Sequence, residues 1–187
     1  GYPTISYTAA FQFWDFKEND GFQEIIKTGL NAFEKVYGYR ATVFNAPGGR
    51  EHAVIHQYLA DEGIKCIEAP LIKKEHLGCG KYKFLVNYTG KKNSLGQTIS
   101  VRNCVFEPTF DTGIDWVSYT LQQIAAAFRW NRPAIISSHR VNFCGHIDPA
   151  NRKMGIDALR SLLKKIVEKW PEVEFLGLGE LGQVIEG

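Results

Sequence analysis

The chain has 187 residues, of which 44% are hydrophobic and 22% charged, and its formal net charge is +2. These are ordinary figures for a globular protein, and a chain this long buries roughly 70% of its unfolded surface. The small, dispersed charge excludes the basic stripe of a nucleic-acid binder. No apolar run reaches the ~20 residues that span a bilayer, so neither nucleic acid nor a membrane is an expected partner.

Residues 5–13, rich in β-branched and aromatic side chains, read as a strand. Over residues 22–37 the apolar residues Phe22, Ile25, Ile26, Leu30, Phe33, Val36 and Tyr37 fall at helical spacing, and Gly38 is placed to end that helix. A strand at 40–44 runs into the turn Asn45-Ala46-Pro47-Gly48-Gly49. Residues 50–62 read as a helix ended by Gly63, and 65–68 as a strand. Residues 82–88 and 98–106 both read as strands, with 89–96 as an exposed hairpin loop. This stretch is expected to leave the main sheet, with 102–106 able to rejoin it. A helix at 114–130 follows, then a strand at 133–138. An amphipathic helix at 156–170 stops before Pro171. A strand at 173–178 and a short helix at 179–185 complete the chain.

Strand and helix alternate almost throughout, which predicts parallel strands joined by crossovers. The expected fold is a single α/β domain over residues 1–187. It would be a (β/α) barrel or partial barrel, with a β-hairpin excursion around 82–106. The pairs Lys73-Lys74, Lys91-Lys92 and Lys164-Lys165 read as solvated surface. The four cysteines form no C-x-x-C pair, so a zinc knuckle or thioredoxin-type site is not indicated. Cys66 and Cys104, in apolar runs, read as core.

Several strands end in polar or turn residues that a parallel sheet would gather on one edge, where α/β folds bind ligands. They are Asn45, Pro47, Gly48 and Gly49; Glu68; Glu107; Ser137, Ser138, His139 and Arg140, with Asn142; and Glu180. His52 and His56 have the spacing of two metal ligands on one helix face. No third ligand is placed by sequence, so they read as a half-exposed pair in a first helical turn. His76 reads as a surface residue, and His146 with Asp148 is a lesser candidate for the cleft rim.

Three segments in series carry a resemblance. They are Tyr39-Arg40-Ala41-Thr42-Val43-Phe44-Asn45-Ala46-Pro47-Gly48-Gly49, then Asp115-Trp116, then Pro133-Ala134-Ile135-Ile136-Ser137-Ser138-His139. In order and rough spacing the chain resembles the carbohydrate (polysaccharide) deacetylases of the NodB-like (β/α)-barrel type, in a divergent bacterial branch, over the C-terminal part of their catalytic domain. The resemblance implies a hydrolase that removes acetyl groups from a carbohydrate substrate, using a divalent, zinc-like metal and an aspartate base. His139 takes the general-acid position. Pro47 and Gly49 take the turn that shapes the sugar groove, and Asp115 the motif aspartate that orients the cleft. Gly48, Asn142 and Glu180 are further candidates for substrate binding. Asn45 stands where the family has arginine, with Arg140 a candidate substitute.

The family's paired aspartates and its metal-binding His-x-x-x-His do not appear. Either they precede Gly1 in a longer parent, leaving this piece inactive alone, or this branch has lost the metal; no metal ligand is assigned within the chain. Glu180 or Asp115 is the expected carboxylate neighbour of His139. Two other readings stand beside the deacetylase: a non-catalytic carbohydrate-binding domain, and a glycosidase using Glu68 and Glu180. A barrel without its first strands exposes edges, so help from a partner or self-association is expected, with 82–106 the candidate surface. The location would be periplasmic or extracellular if the protein is secreted, and cytoplasmic otherwise.

Overall fold

The computed structural model describes residues 10–110 and 113–186. In chain order the elements are α1 (Phe22–Tyr37), β1 (Val43–Asn45), α2 (Ile55–Asp61), β2 (Cys66–Glu68), β3 (Ile72–Gly78), β4 (Lys81–Val86), β5 (Thr98–Ser100), β6 (Cys104–Val105), α3 (Trp116–Arg129), β7 (Ile136–Ser137), α4 (Pro149–Lys169) and α5 (Leu178–Glu186). Parallel strands and helices make this a mixed α/β fold, and the described strands close no barrel. No described helix is long and apolar enough to cross a membrane. The chain forms two compact units, Gly1–Val101 with Leu176–Gly187, and Arg102–Phe175.

In the first unit, β1, β2 and β5 form a parallel sheet in that order. Its core joins Ile67 and Ile99 of the sheet to Phe22, Ile26 and Leu30 of α1 and to Ile55 and Leu59 of α2. Each such side chain contributes about 1.5–3 kcal/mol when fully buried. Helix α1 runs as the periodicity predicts, and Gly38 closes it at φ 76°. Residues 5–9 of the expected first strand lie outside the described residues. Residues 10–13 form no strand, but Phe11 and Phe13 pack into the core.

The excursion differs from expectation. The partner of β4 is β3, which the sequence reading did not foresee, and the antiparallel register runs from Ile72↔Val86 to Gly78↔Lys81. The expected 98–106 strand is split: β5 joins the parallel sheet and β6 belongs to the second unit. The chain does reverse where the loop was expected, with Asn93 N–H donating to the Gln97 carbonyl at 3.0 Å.

The hairpin is inverted. Ile72, Phe84 and Val86 face solvent, while Lys73 and Glu75 are buried. Lys73 is 3% exposed and pairs with Glu51 and, at 3.7 Å, with Glu75; Lys83 reaches Glu75 at 2.7 Å. Lys73 is therefore not solvated surface, because two buried carboxylates hold it. His76 is not a surface residue either. Its ring is 2% exposed and packs edge-on to Phe13 and Tyr82 at 5.3 and 4.5 Å.

The same network explains why α2 begins at Ile55 instead of Arg50. Glu51 is turned inward to Lys73, Ala53 N–H donates to Glu75 Oε1 at 2.9 Å, and Val54 N–H donates to His52 Nδ1 at 3.0 Å. Backbone donors that a longer helix would use are taken. His52 thus precedes the helix, and His56 within it is buried against Glu51 and not half-exposed.

This buried network makes the first unit sensitive to acid. Burial alone would raise Glu51, but the His56 hydrogen bond and the Lys73 ammonium outweigh it and hold the carboxyl below its ordinary range. For Glu75, burial is likewise outweighed by Lys83, Lys73 and the Ala53 amide. Burial lowers His52, with Glu75 opposing and Lys83 and Lys73 adding, and burial with Arg50 and Lys74 lowers His76. Depressed histidines cost stability once the unfolded chain takes up protons, below about pH 6.5. Depressed carboxylates contribute stability above their unfolded value near pH 4.3 and lose it as the pH falls through their folded values. Both losses lie on the acid side. Hydrogen-exchange protection of β3 and β4, corrected for intrinsic rates, should fall from pH 7 to pH 4, and His76→Phe should flatten the upper part. Protection constant over that range would refute the assignment.

In the second unit, β6 and β7 pair in parallel, Cys104↔Ile136 and Val105↔Ser137. Helices α3 and α4 cover them through Cys104, Phe106, Ile124, Leu162 and Ile166. Burial raises the Cys104 thiol to about 11, so it is an inert core residue, as is buried Cys66. Helix α4 starts at Pro149 because the Asp148 side chain caps it. The expected strand at 173–178 is absent: residues 173–177 form no ladder among the described residues, and Leu178 already begins α5.

Gly155 of α4 lies against the turn before that helix. A Cβ there would come within 1.7 Å of the Asn142 carbonyl oxygen, which is backbone and cannot swing aside. Helix propensity alone predicts that Gly155→Ala stabilises by about 1 kcal/mol. The contact predicts the opposite, a loss at or above the about 1–3 kcal/mol of overpacking. A urea midpoint that rises in the variant would contradict the packing.

Candidate active site

The second unit holds the better-defined site. Val105 and Ser137 are paired in register, so the same-face positions two residues on, Glu107 and His139, come together at the carboxyl ends of β6 and β7. Glu107 Oε1 lies 2.7 Å from His139 Nδ1 and accepts the His139 backbone N–H at 3.2 Å. A carboxylate only accepts, so Nδ1 carries the proton and Nε2 is the nitrogen left for chemistry. The burial is asymmetric. The Glu107 side chain is 9% exposed and that of His139 is 71% exposed.

The far side of Glu107 is held by Asn142, whose Nδ2 donates to Oε2 at 2.7 Å. Asn142 is buried in the 3-10 turn Arg140–Asn142. Its Oδ1 accepts from Thr109 N–H at 3.1 Å and Thr109 Oγ1 at 2.8 Å. The Phe110 ring, half exposed, stands 6.5 Å from the His139 ring. The Trp116 indole N–H donates to the Phe110 carbonyl at 3.3 Å, and Tyr119 packs edge-on to Trp116. The exposed imidazole therefore has an aromatic wall beside it.

The other predicted residues divide. Arg140 follows His139 and is exposed. Asp115 caps α3, accepting from Ser118 N–H at 3.1 Å and Ser118 Oγ at 2.6 Å, and these bonds hold its carboxyl below the ordinary range. The carboxylate neighbour of His139 is thus Glu107 and not Asp115. Asn45, Pro47, Gly48, Gly49 and Glu180 belong to the first unit. There, Asn45 Nδ2 donates to Glu68 Oε1 at 2.5 Å across the last register of β1 and β2. Gly48 and Gly49 make the following turn at φ 66° and 62°, and a side chain at Gly49 would meet Pro70 at 3.0 Å. Glu180 Oε2 accepts from Gly177 N–H at 2.6 Å, closing the start of α5. His146 is exposed, and its companion Asp148 is engaged by Ala150 N–H.

The sequence reading missed Glu107 as the partner of His139. The signal was present in the strand pairing: aligning Val105 with Ser137 puts residues 107 and 139 side by side. The resemblance also implies a divalent metal. Among the described residues no three His, Cys, Asp or Glu side chains are grouped to hold one. The partners of His139 here are one carboxylate, amide groups and an aromatic ring, not the three ligands of a catalytic zinc. These residues do not fit a metal. No family model matches the chain, nor does any curated protein or solved structure.

Proposed function

We propose that this chain is part of a carbohydrate deacetylase-like hydrolase of partial (β/α)-barrel type, with His139 as proton donor to the departing sugar amine or hydroxyl. The observation that supports this most is the Glu107–His139 pair at the carboxyl ends of two parallel strands. Glu107 holds the ring with Nε2 outward, as a carboxylate does in acid–base dyads. Water attacks the acetyl carbonyl and gives up a proton to solvent, the bond to the sugar oxygen or nitrogen breaks, and Nε2 of the imidazolium delivers the proton that the leaving atom needs. Solvent can then reprotonate the exposed ring. Phe110, backed by Trp116 and Tyr119, offers a face for a sugar ring to stack on.

A glycosidase using Glu68 and Glu180 is the other enzymatic reading; there Glu68 accepts from Asn45, and Glu180 accepts from Gly177 N–H at the start of α5. The test is acetate release from an acetylated oligosaccharide by the full-length protein. His139→Ala should lower release by on the order of 10²–10⁴ while leaving oligosaccharide binding in place. Release at the parent rate would remove His139 from the reaction, and binding without any release by the parent protein would favour the carbohydrate-binding alternative.

A further inference from the structure

The geometry assigns to Asn142 the role of positioning residue for the Glu107–His139 pair. This rests on the proton-donor reading of the site above and adds the group that fixes it. Asn142 is fully buried, at 0% exposure. Its amide is used at both ends. Nδ2 donates to Glu107 Oε2 at 2.7 Å and to the His139 carbonyl at 2.8 Å, with Ser138 Oγ at 3.2 Å. Oδ1 accepts twice from Thr109.

A flipped amide would set an oxygen against the Glu107 carboxylate and NH2 against two Thr109 donors, so the network admits one orientation. That orientation pins Oε2, which leaves Oε1 to face Nδ1. The His139 carbonyl is tied to the same amide, so one side chain sets the carboxylate and the backbone that carries the imidazole. The Asn142 backbone is itself seated on Gly155. Asn142 touches no reacting atom and acts through Glu107.

The experiment reads the tautomer of neutral His139 by 15N NMR, alongside kcat and KM for acetate release by the full-length protein. The parent should hold the Nδ1–H tautomer. Asn142→Ala should shift it toward a mixture and lower kcat on the order of 10–100-fold, by analogy with the loss of a group that orients a metal-ligating histidine, with KM unchanged. Thr109→Ser should behave as the parent and Thr109→Val should move in the direction of Asn142→Ala. If Asn142→Ala does not fold, the Thr109 pair decides. An unchanged tautomer in folded Asn142→Ala, or in Thr109→Val if only that variant folds, overturns the assignment. The tautomer is read without substrate. Failure of the parent to release acetate would therefore remove the deacetylase reading and leave this assignment standing.

Discussion

Glu107→Gln should lower kcat for acetate release by on the order of 10²–10⁴, with KM little changed. The loss has two parts. A neutral amide cannot stabilise the imidazolium that forms when His139 holds the proton, and with its oxygen held by Asn142 Nδ2 it turns an N–H toward Nδ1, which favours the wrong tautomer. General acid–base catalysis contributes about 10²–10⁴, and the substitution should remove most of it. The fold should hold, because Gln is the same size and Asn142 can still reach its carbonyl oxygen. Glu107→Asp keeps the charge but draws it back from a 2.7 Å contact, and should fall between. A full-rate Glu107→Gln protein would show that the pair is structural only.

Lys73→Met should destabilise the first unit by about 3–5 kcal/mol, the typical result of removing one member of a buried ion pair. Among the described residues Glu51 would keep only His56, at 3.5 Å, as a nearby partner, and Glu75 would keep Lys83 and the Ala53 amide. An uncompensated buried carboxylate is expensive, whereas Met fills the space of the lysine stem. Replacing the group together, Lys73→Met with Glu51→Gln, should restore most of the loss, since an apolar or neutral set is often as stable as a buried pair. The check is urea unfolding followed at Trp14, whose carbonyl accepts the Cys79 N–H beside the hairpin turn. A single variant within about 1 kcal/mol of the parent, at unchanged slope, would mean that Lys73 is solvated in solution.

The parts of the fold that were legible are those where local pattern and tertiary environment agree. Phe22, Ile26 and Leu30 lie four apart and are buried, and Gly38 stops their helix in the left-handed conformation. Helix α3 and the core of α4 follow the same logic. Strand β3 was not legible because its pattern is inverted: its inward residues are Lys73 and Glu75, and its outward ones include Ile72 and Leu77. Only the distant Glu51 makes sense of that arrangement. The start of α2 was misplaced for the same cause, since Glu51 exchanges a helical first turn for an ion pair across 22 residues of sequence.

At the site, His139 and Asn142 stood out as polar residues following an apolar strand. Glu107, 32 positions earlier than His139, carried no mark of its own beyond ending a strand. Its role depends on register, which short two-residue strands do not announce. Asp115 and Glu180 are polar residues at element starts, and both hydrogen-bond at a helix start here, a role the sequence reading did not give them.

The most direct test of the Glu107–His139 unit is a double-mutant cycle on acetate release by the full-length protein, with Glu107→Gln, His139→Ala and both together. Groups that act as one device are strongly non-additive. If Glu107 acts only through the imidazole, the double variant should be no slower than His139→Ala alone. Losses that multiply, with each substitution lowering kcat by its full factor in the other's absence, would show that the two side chains work separately and would contradict the proton-donor pair.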